Sequence, residues 1–81
     1  MAEIRYFASI AEAAGTREET RELPTEPTVG ALREALTEGR GEDFARLIAM
    51  SAMLVNGVSS ADTDEITEPA RIDILPPFAG G

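Results

Sequence analysis

The chain has 81 residues, of which fifteen are acidic and seven are arginine, so its net charge is −8; cysteine, histidine and lysine are absent. This length predicts one domain, and the missing residue types exclude disulfides, thiolate metal sites, a cysteine nucleophile and histidine as a general base. The acidic balance disfavours nucleic acids and anionic membranes and favours a basic protein partner. Because the sequence shows neither a membrane-length apolar run nor a signal peptide, we expect a cytoplasmic protein.

Residues 4–8 predict a first strand because they are rich in β-formers. The alternation of a strand divides its side chains between two faces, Ile4, Tyr6 and Ala8 on one and Arg5 and Phe7 on the other. Residues 10–14 predict a short helix, with Ser9 as a candidate cap and Gly15 as a candidate stop. Residues 18–23 predict an edge strand that pairs with the first, since charges along an edge discourage stray pairing.

The main helix is predicted to begin after Thr28, its N-cap, and to stop at Gly39. Its apolar residues recur at three- and four-residue spacing and form one stripe, made of Val29, Leu32, Ala35 and Leu36. The remaining polar residues of the helix are expected to face water, namely Arg33, Glu34, Thr37 and Glu38. This stripe predicts one helix face buried against a sheet.

The second half of the chain predicts a loop at residues 39–43 and a short helical turn at residues 44–48 that closes the core. An apolar run at residues 53–55 predicts a strand, and Asn56-Gly57 indicates a tight turn after it. Residues 70–75 predict the last strand. Its alternation divides the side chains into Ile72 and Ile74, which point inward, and Arg71, Asp73 and Leu75, which point outward.

This order of elements predicts an α+β fold in which one main helix packs on a mixed sheet of about five strands, the β-grasp or ubiquitin-like arrangement. In that arrangement the first and last strands lie side by side and parallel at the centre of the sheet. Phe7 and Leu75 would then be neighbours on the face opposite the helix. Because this apolar pair would lie where the C-terminal tail begins, we predict a docking patch there.

The residues present do not form a known catalytic constellation. Serine and cysteine triads need histidine or cysteine, which are absent, and the glycines at Gly39 and Gly41 lack the spacing and the lysine of a phosphate-binding loop. The acidic stretch at residues 62–65 lacks the glycine and the distal glutamate of a calcium loop. No metal site is therefore predicted, and the stretch is interpreted as a solvated loop.

The carboxylate at the end of the C-terminal tail is the one reactive group that remains. The sequence ends in Pro76-Pro77-Phe78-Ala79-Gly80-Gly81, and two glycines can thread a channel too narrow for other residues. We therefore interpret residues 1–76 as the folded domain and residues 77–81, which span about 16–18 Å when extended, as a tail that can enter a buried site. The prolines stiffen the root of this tail. A partner could activate the carboxylate of Gly81 as an acyl-adenylate and let sulfur or an amine replace AMP.

The sequence resembles the small, sulfur-carrying subunits of molybdopterin synthase, the MoaD-like members of the MoaD/ThiS family. The resemblance covers essentially the whole chain, and its most specific element is the ending Leu-Pro-Pro-x-x-Gly-Gly. The segments that carry it are Arg5-Tyr6-Phe7-Ala8, Ala14-Gly15, Thr28-Val29-x-x-Leu32, Val55-Asn56-Gly57 and the run from Ile72 to Gly81.

The resemblance implies a β-grasp fold and a defined role for the tail. Gly81 would be adenylated by an ATP-dependent partner similar to ubiquitin-activating enzymes, and a sulfurtransferase would supply the sulfur that converts it to a thiocarboxylate. The tail, with Pro77, Phe78 and Gly80, would enter the large synthase subunit and donate sulfur to cyclic pyranopterin monophosphate. Such assemblies are typically heterotetramers, in which Phe7 and Leu75 match the docking face. The chain itself would bind no cofactor and have no independent enzymatic activity.

The sequence departs from the family pattern in three places. Glu68-Pro69-Ala70 stands where a Gly-Asp turn is common, Ser59-Ser60 is polar where an apolar docking residue is frequent, and lysine is absent. Three other functions stay open. These are a sulfur carrier for thiamin or cysteine synthesis, a ubiquitin-like modifier joined to lysines through Gly81, and a binding module whose tail has no role.

Overall fold

The computed structural model of the chain describes residues 1–77. In this range five strands form one mixed sheet, and its buried face packs against three helices. The strands are β1 (Ala2–Tyr6), β2 (Glu18–Arg21), β3 (Ala52–Val55), β4 (Val58–Ser59) and β5 (Ala70–Leu75). The helices are α1 (Ser9–Ala14), α2 (Val29–Thr37) and α3 (Glu42–Met50). The predicted α+β fold of the β-grasp type is confirmed.

The sheet has the strand order β2-β1-β5-β3-β4, and its centre is the pair formed by β1 and β5. These two strands are parallel, with Ala2 opposite Ala70 and Tyr6 opposite Ile74, whereas the other strand pairs are antiparallel. The predicted central parallel pair is therefore confirmed, and so is the position of β2 at an edge. Because β1 and β5 run in one direction, the C-terminal tail leaves the sheet at the end where β1 also finishes.

The first strand lies two residues earlier than predicted. It begins at Ala2, which is fully buried, and ends at Tyr6. Ala8, predicted as the last residue of the strand, instead has φ 51° and is exposed, and it caps the start of α1. The prediction of Ser9 as a cap is wrong for the same reason, since Ser9 is the first residue of the helix. Gly15 ends α1 in the left-handed conformation, as predicted.

The hydrophobic core lies between the helices and one face of the sheet. Alternate residues of β1 and β5 supply that face, so Ile4, Ile72 and Ile74 are fully buried. The predicted stripe of α2 packs against them, with Val29, Leu32 and Leu36 equally buried, and Phe44, Ile48 and Met53 complete the cluster. Full burial of an aliphatic side chain of this size contributes about 1.5–3 kcal/mol, so the sheet face and the stripe supply the main driving force for folding.

The limits of α2 follow the predicted signals. The side-chain oxygen of Thr28 accepts a hydrogen bond from the N–H of Ala31 at 3.1 Å, which satisfies one of the donors that a helix start leaves unpaired. The helix ends at Thr37, Glu38 is its extended C-cap, and Gly39 follows with φ 73°, a conformation that glycine adopts without strain. Both ends of the helix are therefore fixed by local sequence.

Arg33 does not face water, so that prediction is wrong. It donates hydrogen bonds to the carbonyls of Ile48 and of Ser51, at the end of α3, and forms an ion pair with Asp62 at 3.1 Å. Its side chain is only 16% exposed. A cation at the C-terminal end of a helix meets the carbonyls that lack an intrahelical partner, so Arg33 joins α2, α3 and the loop before β5.

The loop between β4 and β5 lies across the start of α2 and satisfies two more of its N–H groups. The carbonyl of Asp64 accepts from Val29 at 3.0 Å, and the carbonyl of Asp62 accepts from Gly30 at 2.9 Å. A Cβ atom at position 30 would lie 3.2 Å from both the Cβ and the carbonyl oxygen of Asp62. A side chain at this position would therefore force Asp62 to move by a few tenths of an ångström, and the stretch predicted as a solvated loop is attached to the domain.

The third helix is longer than the short turn predicted at residues 44–48. It spans nine residues and begins after Gly41, which has φ 90° and makes no side-chain cap. Acidic Glu42 and Asp43 in its first turn suit the positive end of the helix dipole. Phe44 and Ile48 bury its apolar face. None of the helices in residues 1–77 is long and apolar enough to cross a membrane.

A polar cluster fixes the loop between α2 and α3 to the sheet. Tyr6 donates a hydrogen bond to Glu19 at 2.9 Å, and Arg40 donates to Glu19 at 2.8 Å and to the Tyr6 hydroxyl at 3.1 Å. Burial and the hydrogen bond to Glu19 raise the pKa of Tyr6 to about 12. Burial by itself raises the pKa of Glu19, but the hydrogen bonds from Tyr6 and Arg40 outweigh it and hold that pKa below its ordinary value.

Candidate functional site

The face of the sheet opposite the helices carries the predicted docking pair. The N–H of Phe7 donates a hydrogen bond of 3.1 Å to the carbonyl of Ile74, which extends the register of β1 and β5 by one step and sets Phe7 beside Leu75. Both side chains are partly exposed, whereas Tyr6 and Ile74 are buried. The predicted outward orientation of Phe7 and Leu75 is confirmed, and their role in docking stays a prediction.

Two further residues extend this apolar surface and were not predicted. Ala52 is the register partner of Leu75, and Leu54 lies two residues further along β3 on the same face. We call Phe7, Ala52, Leu54 and Leu75 the outer patch. Strand alternation predicts only that Leu54 and Met53 lie on opposite faces of the sheet. The face that Leu54 occupies and its neighbours depend on a register that the sequence alone does not give.

Charged residues flank the outer patch on the same face. The guanidinium of Arg5 lies 5.6 Å from the centre of the Phe7 ring, a distance suited to a cation–π contact. Asp73 is the register partner of both Arg5 and Leu54, so it lies between β1 and β3 next to the patch. The outer face of the sheet therefore carries the apolar patch together with the cation of Arg5 and the carboxylate of Asp73.

An open depression of about 820 Å³ lies beside Phe7, between α1 and the start of β2. Its polar lining includes Arg5, Glu12, Arg17 and Glu18. These groups can hold charged atoms of a partner but include no nucleophile paired with a base. Among residues 1–77 there is also no group of three or more acidic residues arranged to hold a metal ion.

The root of the tail is fixed by its attachment to the central strand. β5 ends at Leu75, Pro76 is buried and Pro77 is exposed. The two rings restrict the backbone, so the direction in which the chain leaves the sheet is set by β5. The predicted tail residues Phe78, Gly80 and Gly81 lie outside the described residues.

Comparison with known proteins gives one family. The model of the ThiS family matches residues 4–81 of the chain, which is nearly its whole length. No curated protein matches the chain.

Solved structures with the same fold match this chain over nearly their full length. A Pyrococcus furiosus protein assigned as molybdopterin converting factor, subunit 1, is 27% identical with a TM-score of 0.80, over 95% of this chain and 97% of that one. Small archaeal modifier protein 1 of Haloferax volcanii is 26% identical with a TM-score of 0.76, over 95% and 97%. Subunit 1 of the molybdopterin-converting factor of Helicobacter pylori, solved with subunit 2, is 21% identical with a TM-score of 0.69, over 99% and 97%.

Proposed function

The chain belongs to the ThiS family and is a sulfur carrier of the ThiS/MoaD type, and from this premise we propose that it is the small subunit of a molybdopterin synthase. The observation that carries the proposal is the position of the outer patch. Phe7, the residue after β1, lies beside Leu75, the last residue of β5, at the point where Pro76 leads into the tail. A partner that covers the patch therefore receives the tail at a fixed place and in a fixed direction.

The chemistry that we propose takes place at the carboxylate of Gly81. This carboxylate attacks the α-phosphorus of ATP on an activating adenylyltransferase, which releases pyrophosphate and leaves an acyl-adenylate. A hydrosulfide equivalent supplied by a sulfurtransferase then displaces AMP and leaves a thiocarboxylate. Glycine suits both steps because its carbonyl is not hindered by a side chain. We place these steps in the cytoplasm, where ATP is available.

We further propose that the large synthase subunit covers the outer patch and takes up residues 77–81. The sulfur of the thiocarboxylate then bonds to a side-chain carbon of cyclic pyranopterin monophosphate and displaces an oxygen substituent from that carbon. Water hydrolyses the resulting thioester, which leaves the sulfur on the pterin as a thiol and a carboxylate on Gly81. Two similarities support this pathway. The Pyrococcus furiosus protein is assigned to molybdopterin conversion, and the Helicobacter pylori subunit was solved with its subunit 2. A heterotetramer of two large and two small subunits is part of the proposal.

Reconstitution with purified components tests the proposal. The thiocarboxylated chain is mixed with the large synthase subunit of the same organism and cyclic pyranopterin monophosphate, and molybdopterin is measured after oxidation to its fluorescent derivative. We expect product in proportion to the thiocarboxylate added, and no product from a chain that lacks Gly80 and Gly81. Sulfur transfer to a thiazole or cysteine precursor, with no transfer to the pterin, would instead assign the chain to another pathway.

A second candidate function is a ubiquitin-like modifier. The similarity to small archaeal modifier protein 1, at 26% identity over 95% of this chain, favours it specifically. The same activated Gly81 would form an amide with a lysine of a target protein. Conjugates of higher mass that disappear in a strain producing the chain without Gly80 and Gly81 would support this function.

A further inference from the structure

Asp73 is a carboxylate on the outer sheet face, at the edge of the outer patch between two leucines and two arginines. It lies on β5, with Arg5 as its register partner on β1 and Leu54 as its partner on β3. Leu75 follows two residues later on the same face. Asp73 is therefore surrounded on one side by the outer patch, and only 14% of its side chain is exposed.

The charge of Asp73 is incompletely satisfied by residues 1–77. Its Oδ1 atom is buried and accepts no hydrogen bond from any of them. The nearest cationic atom, Nε of Arg71, is 3.7 Å from Oδ1, within ion-pair distance but too far for a hydrogen bond. A buried carboxylate oxygen without a donor destabilises the free protein, so a carboxylate at this place calls for an explanation outside the domain.

Arg5 is close enough in register to satisfy Asp73 but is directed elsewhere. The two residues are opposite one another on parallel strands, yet the Arg5 guanidinium lies over the ring of Phe7. The free protein thus uses its own nearby cation to cover an aromatic ring of the outer patch. The acceptor on Asp73 is left for a donor that arrives with a partner.

We propose that Asp73 is the charged recognition point of the docking face and accepts a hydrogen bond from an arginine or lysine side chain of the protein that covers the outer patch. This inference rests on the proposed function, in which that protein is the large synthase subunit. Covering the patch removes water from Asp73, so an unpaired carboxylate would oppose docking and a matching cation would favour it. The net charge of −8 also favours a basic partner surface.

Binding of the large synthase subunit to four forms of the chain tests this inference. Calorimetry at two salt concentrations gives the Kd for the natural chain, Asp73→Asn, Arg5→Gln and the double variant. We expect Asp73→Asn to raise the Kd about 10- to 100-fold, since charge-assisted hydrogen bonds are stronger than neutral ones and a desolvated charge lost from a pair weakens binding. The matched control is Glu3→Gln, an exposed carboxylate on the same face, which should raise the Kd less than about threefold.

Thermal unfolding of the free chain separates recognition from a structural role. Asp73→Asn should unfold at the same temperature as the natural chain or at a higher one, because it removes a poorly paired buried charge. The inference is overturned if the variant binds as tightly as Glu3→Gln, or if its unfolding temperature falls along with its affinity. It is also overturned if Asp73→Asn no longer raises the Kd in a chain that also carries Arg5→Gln, since Arg5 is then the donor to Asp73. Failure of the natural chain to bind would overturn the proposed function as well.

Discussion

Phe7, the residue after β1, lies beside Leu75, the last residue of β5, one register step beyond the pair formed by Tyr6 and Ile74. The hydrogen bond from the Phe7 N–H to the Ile74 carbonyl, at 3.1 Å, holds this arrangement. The outer patch and the root of the tail are thus parts of one hydrogen-bonded unit. A partner that recognises the patch also fixes the direction of the tail.

Replacing Leu75 by Asp tests the docking role of the outer patch. We expect its Kd for the large synthase subunit to rise at least about tenfold, because a charge would replace an apolar side chain of the proposed docking surface. The free energy of unfolding should change by less than about 1 kcal/mol, since the side chain lies outside the core. Calorimetry and urea denaturation measure the two quantities.

The matched control for Leu75→Asp is Ala49→Asp, which introduces the same charge at an exposed position of α3 on the helical side of the sheet. It should leave the Kd unchanged. Equal affinities of the two variants would exclude the outer patch as the docking surface. Unfolding of Leu75→Asp would show that the outward orientation of Leu75 is wrong.

Arg33 is predicted to be the most important arginine for stability. Arg33→Ala should lower the free energy of unfolding by about 2–4 kcal/mol, because it leaves the carbonyls of Ile48 and Ser51 and the carboxylate of Asp62 without their donor. Arg33→Lys should recover only part of this loss, since an ammonium cannot reproduce the planar fork. Urea denaturation gives these differences.

The control for Arg33→Ala is Arg46→Ala, which removes an exposed ion pair with Asp43 at 3.8 Å. That pair should contribute less than about 0.5 kcal/mol. If the two alanine variants are equally stable, Arg33 does not join α2, α3 and the loop before β5 in solution.

Gly30 is predicted to be required by the close approach of the loop before β5. Gly30→Val should lower the free energy of unfolding by about 1–3 kcal/mol, because its side chain would displace the backbone of Asp62. Glu34→Val, at an exposed position of the same helix, measures the cost of a β-branched residue alone, about 0.5 kcal/mol. Chemical denaturation that finds no difference between the two variants would contradict the packing described at Gly30.

The cluster of Tyr6, Glu19 and Arg40 predicts a defined pH dependence of stability. The pKa of Glu19 is lower in the folded than in the unfolded chain, so its contribution is present above the ordinary pKa of 4.5 and is lost as the pH falls through the folded value. The pKa of Tyr6 is raised from 10.0 to about 12, so its contribution is lost as the pH rises through that interval.

The Glu19→Gln variant separates the loss of stability at acidic pH that is due to Glu19 from the loss that is due to the other carboxylates. The difference in unfolding temperature between the natural chain and the variant should be largest near neutral pH and should shrink as the pH falls below 4.5 and through the lowered pKa of the folded state. A difference that is constant with pH, measured by circular dichroism, would show that the charge of Glu19 does not contribute.

The sequence was sufficient where local chemistry decides the structure. Thr28 as a cap, Gly15 and Gly39 as stops, and the alternation of β5 all follow from the preferences of single residues or of a short strand. The central parallel pair followed from the order of elements, which is that of a β-grasp fold. These features also placed Phe7 and Leu75 on the outer face.

What the sequence could not give depends on contacts between distant segments. Arg33 stands in a polar position of α2, and its burial results from the end of α3 and from Asp62 reaching it. The limited exposure of Asp73 likewise results from neighbours on β1 and β3. Ala52 and Leu54 join the outer patch through the register of β3 with β5, which no local pattern specifies.

In the proposed function the folded domain does no chemistry itself and presents an acyl terminus that other proteins activate and use. Intact mass spectrometry after incubation with ATP, the activating adenylyltransferase and a sulfur source tests it most directly. We expect a gain of about 16 Da, from sulfur replacing one oxygen, located at Gly81 and absent from a chain that lacks Gly80 and Gly81. An unchanged mass with active partner enzymes would rule out the proposed sulfur-carrier function.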